Sequence, residues 1–208
     1  MKNQGNKYLT EDVRRTKVLM LLFSIAACGI LLGTFVFSRA EDKSIFLSDV
    51  LSNGFIKRSE AQSVIDVFNR TVSWTSLIVL ILFFSGLSSI TQPLEIAVLF
   101  YRGVAIGSAV SYTYTGYGKD GFPIVLLMIL PYALMSTVII VFAVREALRS
   151  SNVYLMYLSG HAPDEACRPS LKLYLTRFAV LFLFVFLSSV IDCVITYFLT
   201  DILILKNK

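Results

Sequence analysis

Three times in this chain a bilayer's worth of sequence passes without a charged side chain: between Lys17 and Arg39, between Arg70 and Glu95, and between Asp120 and Arg145. A helix crossing the roughly 30 Å hydrocarbon core needs about 20 mostly apolar residues. Each interval therefore reads as a membrane span and not as the core of a soluble domain. Composition agrees: 56% of residues are hydrophobic, 16% are charged and the mean hydropathy is +0.72. About five spans fit, and they absorb so much of the chain that no separate enzyme domain has room outside them. The expected fold is an all-α integral membrane protein, a bundle of about five transmembrane helices.

The surplus of 19 Lys and Arg over 14 Asp and Glu would raise the question of nucleic acid in a soluble protein. Here the basic residues flank apolar runs, so they read as topology signals facing anionic headgroups. No nucleic-acid partner is expected. Cys28 and Cys193 lie inside apolar runs and Cys167 in a loop, which makes neither a disulfide framework nor a zinc site. Ser38-Arg39-Ala40 faintly resembles a signal cleavage site, but the preceding apolar run is longer than a signal h-region, so it reads as a retained anchor.

Residues 1–17 form a basic head with Lys2, Lys7, Arg14, Arg15 and Lys17 against Glu11 and Asp12. That bias places the N-terminus in the cytoplasm and, after five crossings, the C-terminus outside. Over the whole chain the inner segments hold ten basic residues against eight outside, so the head decides orientation. The first span is 18–37. Residues 38–73 form an extracytoplasmic loop in which Ile45, Phe46, Leu47, Val50, Leu51 and Phe55 recur at helical spacing, predicting a short amphipathic helix ended by Gly54.

Residues 74–144 hold three spans. The second runs from Trp74, at an interfacial position, to Ile90. Thr91-Gln92-Pro93 then gives a turn so short that spans two and three are expected to form a tight antiparallel hairpin, with proline and Glu95 in the first turn of the third. That third span ends near Tyr114, before the glycine-rich turn 116–121. The fourth covers Phe122 to Val144, kinked by Pro131. A cytoplasmic loop over 145–177, a fifth span over 178–199 and a tail over 200–208 complete the chain.

Arg102 and Asp192 are charges at membrane depth, and Glu95 lies about two helical turns before Arg102. An arginine at a helix centre costs roughly 2.5 to 3.5 kcal/mol on insertion scales, so it needs a partner or a route to the interface. Approach of Arg102 to Asp192 across helices is one expectation; snorkelling to the headgroups is the other. Gly29 with Gly33, and Gly103 with Gly107 continued by Ser111, have the small-residue spacing that lets helices touch in lipid. They are candidates for packing within the bundle or for binding a partner's helix.

Signs of catalysis are few. His161 to Cys167 contains possible ligands, but the spacing matches no zinc pattern and Pro163 makes the segment a turn. The sequence has no GxSxG, HExxH, phosphate-binding glycine loop or dinucleotide fingerprint. Neither enzymatic activity, cofactor nor metal is expected.

The segments Phe84-Ser85-Gly86-Leu87-Ser88-Ser89-Ile90-Thr91-Gln92-Pro93-Leu94, Leu99-Phe100-Tyr101-Arg102-Gly103-Val104-Ala105-Ile106-Gly107, Gly121-Phe122 and Leu130-Pro131 together resemble the stage II sporulation protein M family. The resemblance covers about residues 83–144. Its most specific element is the proline turn, an apolar helix and then a basic residue followed by Gly-x-x-x-Gly. Tyr132 stands where members often carry an amide residue. The resemblance implies a non-catalytic scaffold that places the stage II sporulation proteins D and P, cell-wall-degrading partners, at the septal membrane during forespore engulfment. The rival reading, from Arg102, Asp192 and Pro131, is a transport or permease subunit with a polar intramembrane path.

Overall fold

A computed structural model describes residues 2–39, 64–118, 121–158 and 171–206, and every regular element among them is a helix. In chain order they are α1 (Lys2–Arg39), α2 (Val64–Ser85), α3 (Gln92–Tyr117), the single turn α4 (Gly121–Ile124), a π-helical stretch (Val125–Ile129), α5 (Leu130–Leu158) and α6 (Leu171–Lys206). Four stretches are long and apolar enough to cross a bilayer: Thr16–Ser38, Gln92–Thr115, Val125–Met156 and Leu171–Phe198. The second predicted span has a shorter apolar stretch, Thr71–Ser85. Its helix nonetheless has 22 residues, about 33 Å at 1.5 Å per residue. Thr71 and Thr75 lower its hydropathy but are 3% and 2% exposed, turned into the protein and away from lipid.

Several boundaries move. The second span ends at Ser85, before the expected Ile90, because Gly86 and Leu87 turn the chain there. The loop expected over 145–177 is mostly helix: α5 continues through Arg145, Glu146 and Arg149 to Leu158, and α6 starts at Leu171. Charges end the apolar run without ending the helix, since a helix leaving the bilayer keeps its hydrogen bonds in water. The tail over 200–208 is likewise helical as far as Lys206. The amphipathic helix expected around Ile45 to Phe55, and the His161 to Cys167 segment, lie outside the described residues.

The helix around Pro131 is irregular. The π-helical stretch Val125–Ile129 immediately precedes it, widening the helix where the proline nitrogen offers no donor. Gly118 closes α3 with φ +57°, its amide donating to the Tyr114 carbonyl.

Helix pairing departs from chain order. The turn between α2 and α3 is short, as expected, yet the two helices do not form a closely packed hairpin: α3 packs chiefly on α1, and α2 on α6 and α5. One apolar core, including Leu22, Ala26, Val79, Leu82, Leu99, Ile140, Val144 and Phe178, ties all five long helices together. A second, built on Ala105, Ile106, Ala109, Ile129, Tyr132 and Ala133, joins α3 to the π stretch and the start of α5.

Candidate functional site

The contact of α1 with α3 is made by the two glycine pairs facing each other. A Cβ placed on Gly103 would stand 2.5 Å from the Ala26 carbonyl oxygen and 3.1 Å from Gly29 Cα; one on Gly29 would stand 2.6 Å from the Phe100 carbonyl oxygen. One turn on, a Cβ on Gly33 or Gly107 would strike the carbonyl oxygens of Val104 or Ile30. The backbones touch, and Thr34 Oγ1 bonds both its own Ile30 carbonyl, at 2.9 Å, and the Gly107 carbonyl across the gap, at 3.3 Å. This is the small-residue packing that replaces the hydrophobic effect in lipid. Ser111 continues the row as a buried residue of α3. Gly29, Gly33, Gly103 and Gly107 therefore serve packing within the chain, and the proposed use of either groove for a partner's helix is corrected: each is filled by the other.

The first glycine of α3 follows Arg102, which is 1% exposed. Its Nη2 donates to Ser136 Oγ at 2.8 Å, and its guanidinium lies 5.5 Å from the centre of the Tyr132 ring. Arg102 thus sits inside the protein and does not snorkel. Ser136 and Tyr132 are one turn apart on α5, which puts a hydroxyl and an aromatic face on the same side. The Tyr132 hydroxyl in turn shares a 2.9 Å hydrogen bond with Thr75 Oγ1 on α2. One turn earlier on that helix, Thr71 Oγ1 donates to Asp192 Oδ2 on α6 at 3.3 Å. Asp192 is 3% exposed, beside buried Ser188, Ser189 and Thr196. Both intramembrane charges are turned into the bundle, and hydroxyls of three other side chains stand between them.

No family model, curated protein or solved structure matches the chain.

The other end of the bundle is organised by the α2–α3 turn. The carbonyls at the end of α2 and in the turn after it lie inside the protein, where they take hydroxyls beside the turn amides of Leu87 and Ser88. Tyr174 donates to the Phe83 carbonyl at 2.7 Å, Thr91 to those of Ser85 and Ser88, and Ser151 to that of Ser88 at 2.8 Å. Gly86 fits because a Cβ there would stand 2.8 Å from Ala147 Cα and strike the Tyr174 hydroxyl. Gln92 Nε2 bonds Asn152 Oδ1 at 3.2 Å, and Arg177 pairs with Glu146. Glu95, in the first turn of α3, is 0% exposed and receives one hydrogen bond, from Ser85 Oγ to Oε1 at 3.4 Å.

Of the polar residues that hold these two ends, Thr71, Thr75, Ser136 and Ser151 have no place in the sequence reading, and Ser85 and Tyr132 enter it only through the family resemblance. Their signal was available in part: Thr71 with Thr75, and Tyr132 with Ser136, stand four apart inside apolar helices, which places each pair on one face. Among the described residues no group of three or more His, Cys, Asp or Glu is placed to hold a metal ion.

Proposed function

We propose that this chain is a non-catalytic membrane scaffold for forespore engulfment, positioning the cell-wall hydrolases known as stage II sporulation proteins D and P at the septal membrane. The observation that carries the reading is a convergence. One part of the resemblance, residues 101–107, packs against the residues that flank another, Leu130-Pro131, in the core of Ala105, Ile106, Ile129, Tyr132 and Ala133. Arg102 bonds Ser136 and faces Tyr132, directly after Pro131, while Gly103 and Gly107 seat α1. Residues shared for the sake of a fold are expected to meet in this way.

With the glycine grooves occupied, partner binding falls to the segment between α1 and α2 and to the lipid-facing sides of the helices. In this reading the chain is a multi-pass protein of the bacterial cytoplasmic membrane with its N-terminus inside and C-terminus outside. The test is complementation in an endospore former lacking its own family member. Rescue of engulfment, with co-purification of the D and P proteins from solubilised membranes, is expected; folded, membrane-inserted chain that does neither refutes the scaffold.

A transport role is the second reading, favoured by the buried line from Arg102 through Tyr132, Thr75 and Thr71 to Asp192. Polar side chains at membrane depth commonly mark substrate or ion paths. Solute flux into reconstituted vesicles that disappears in Arg102→Leu would favour it over the scaffold.

A further inference from the structure

We infer that the α2–α3 turn holds a site for a single alkali cation, with Glu95 as its charged ligand and Ser89, on the same turn, as a second oxygen. Two buried oxygens at this turn have no hydrogen-bond partner among the described residues: Glu95 Oε2 and Ser89 Oγ. The local donors are already committed. The hydroxyls of Tyr174, Thr91 and Ser151 go to the carbonyls of Phe83, Ser85 and Ser88. The Ser85 hydroxyl is divided between the Leu82 carbonyl and the other oxygen of Glu95. Glu95 therefore stands with zero exposure and one long hydrogen bond, while a buried carboxylate needs pairing, a metal, several donors or a proton.

The charges around it point to a cation. The C-terminal end of α2, with its partial negative charge, closes on the same turn. Arg177, a basic side chain at this end of the bundle, is engaged by Glu146. Arg102 lies seven residues further along α3, about 10 Å at the helical rise. The N-terminal end of α3 supplies no atom to Oε2, since the Glu95 amide itself bonds the Thr91 carbonyl at 3.1 Å. The expected charge of the ion is one. The adjoining core is apolar, with Leu82, Leu99, Val144 and Ala147 all fully buried, and a divalent ion against a single carboxylate would leave a net charge there. Helix C-terminal ends and unwound backbone carbonyls hold sodium in broken transmembrane helices, and the end of α2 stands at this turn. The inference does not depend on the scaffold reading.

The experiment uses the purified full-length chain in detergent at fixed pH, unfolded by heat and followed by the fluorescence of Trp74. Sodium chloride, potassium chloride and choline chloride are compared at equal ionic strength. One cation at ten times its Kd favours the folded state about elevenfold, which for a chain of this size is a rise of about 3 to 6 °C in Tm. At least one alkali salt is expected to give this rise over choline. Glu95→Gln, nearly isosteric, is expected to give one Tm in all three salts. Ser89→Ala keeps the carboxylate and is expected to raise the half-saturating cation concentration about tenfold.

Wild-type protein with the same Tm in all three salts overturns the site, as does Glu95→Gln that keeps the difference. A Tm that follows pH but not alkali cation assigns the orphan oxygen to a proton and overturns it as well. Should Glu95→Gln fail to fold, an unchanged half-saturation in Ser89→Ala does the same.

Discussion

Adding one methyl group at Gly107 tests the most consequential contact in the bundle. In Gly107→Ala the new Cβ falls on the Ile30 carbonyl oxygen and stands 2.8 Å from the Thr34 nitrogen and 2.9 Å from the Ile30 carbonyl carbon. All three atoms are helix backbone and none can rotate away. Carbon pairs prefer about 3.5 to 4.0 Å, so α1 must withdraw by about 1 Å. That movement also takes the Thr34 hydroxyl, 3.3 Å from the Gly107 carbonyl, out of hydrogen-bond range. Overpacking of this kind costs about 1 to 3 kcal/mol, and an interhelical hydrogen bond in a membrane protein adds about 0.6 kcal/mol. The better helix propensity of alanine returns about 0.8 to 1 kcal/mol.

The balance is a loss of about 2 kcal/mol, or about 4 to 8 °C in Tm for a chain of this length. Thermal unfolding in detergent followed through Trp74, the chain's one tryptophan, reads it directly. Trp74 is packed against the main core. Ala97→Leu, on an exposed face of the same helix, is the control and is expected to leave Tm within about 1 °C. If Gly107→Ala matches that control or melts higher, α1 and α3 do not touch through their glycines.

The polar centre gives further tests. Thr75→Val and Tyr132→Phe each remove one side of a 2.9 Å hydrogen bond between buried groups, and a double-mutant cycle on Tm is expected to show coupling of about 0.6 to 1.7 kcal/mol; strictly additive losses contradict the bond. Tyr174→Phe strips the Phe83 carbonyl of its donor, which should cost about 1 to 3 kcal/mol. The same substitution leaves the stacking of that ring on Phe83 in place, so near-UV circular dichroism should change little. Arg177→Gln should lower stability by less than about 1 kcal/mol, because the pair with Glu146 is partly exposed and such pairs contribute little.

What the sequence made legible was what changes the hydropathy of a run. Intervals free of charge marked the spans, and Pro131 marked a distortion that takes the form of a π stretch before it. Pairing was less accessible. The glycine faces of α1 and α3 were visible as packing surfaces, but nothing in the spacing of either says that it fits the other, across a separation of more than 70 residues. The short turn suggested a hairpin of α2 with α3, whereas Gly86 and the hydroxyl caps hold the turn while the helices pack elsewhere. Charges mislead at the ends: Arg145 and Arg177 read as the borders of a loop, though both lie within helices. Serine and threonine were invisible for another reason. In an apolar helix they scarcely alter hydropathy, and a hydroxyl bound to its own carbonyl, as in Ser189 to Val185, looks the same in sequence as Thr71 reaching Asp192.

Five helices span the membrane only if α2 crosses it despite its short apolar stretch. In a chain with Cys28, Cys167 and Cys193 replaced, single cysteines at Lys43 and Arg149 would be labelled with a membrane-impermeant maleimide in intact and in lysed cells. Three crossings between the two sites, by α2, α3 and α5, place them on opposite sides: Lys43→Cys is labelled in intact cells, and Arg149→Cys only after lysis. Labelling of both from the same side would mean that α2 does not span the bilayer, and would contradict the bundle described here.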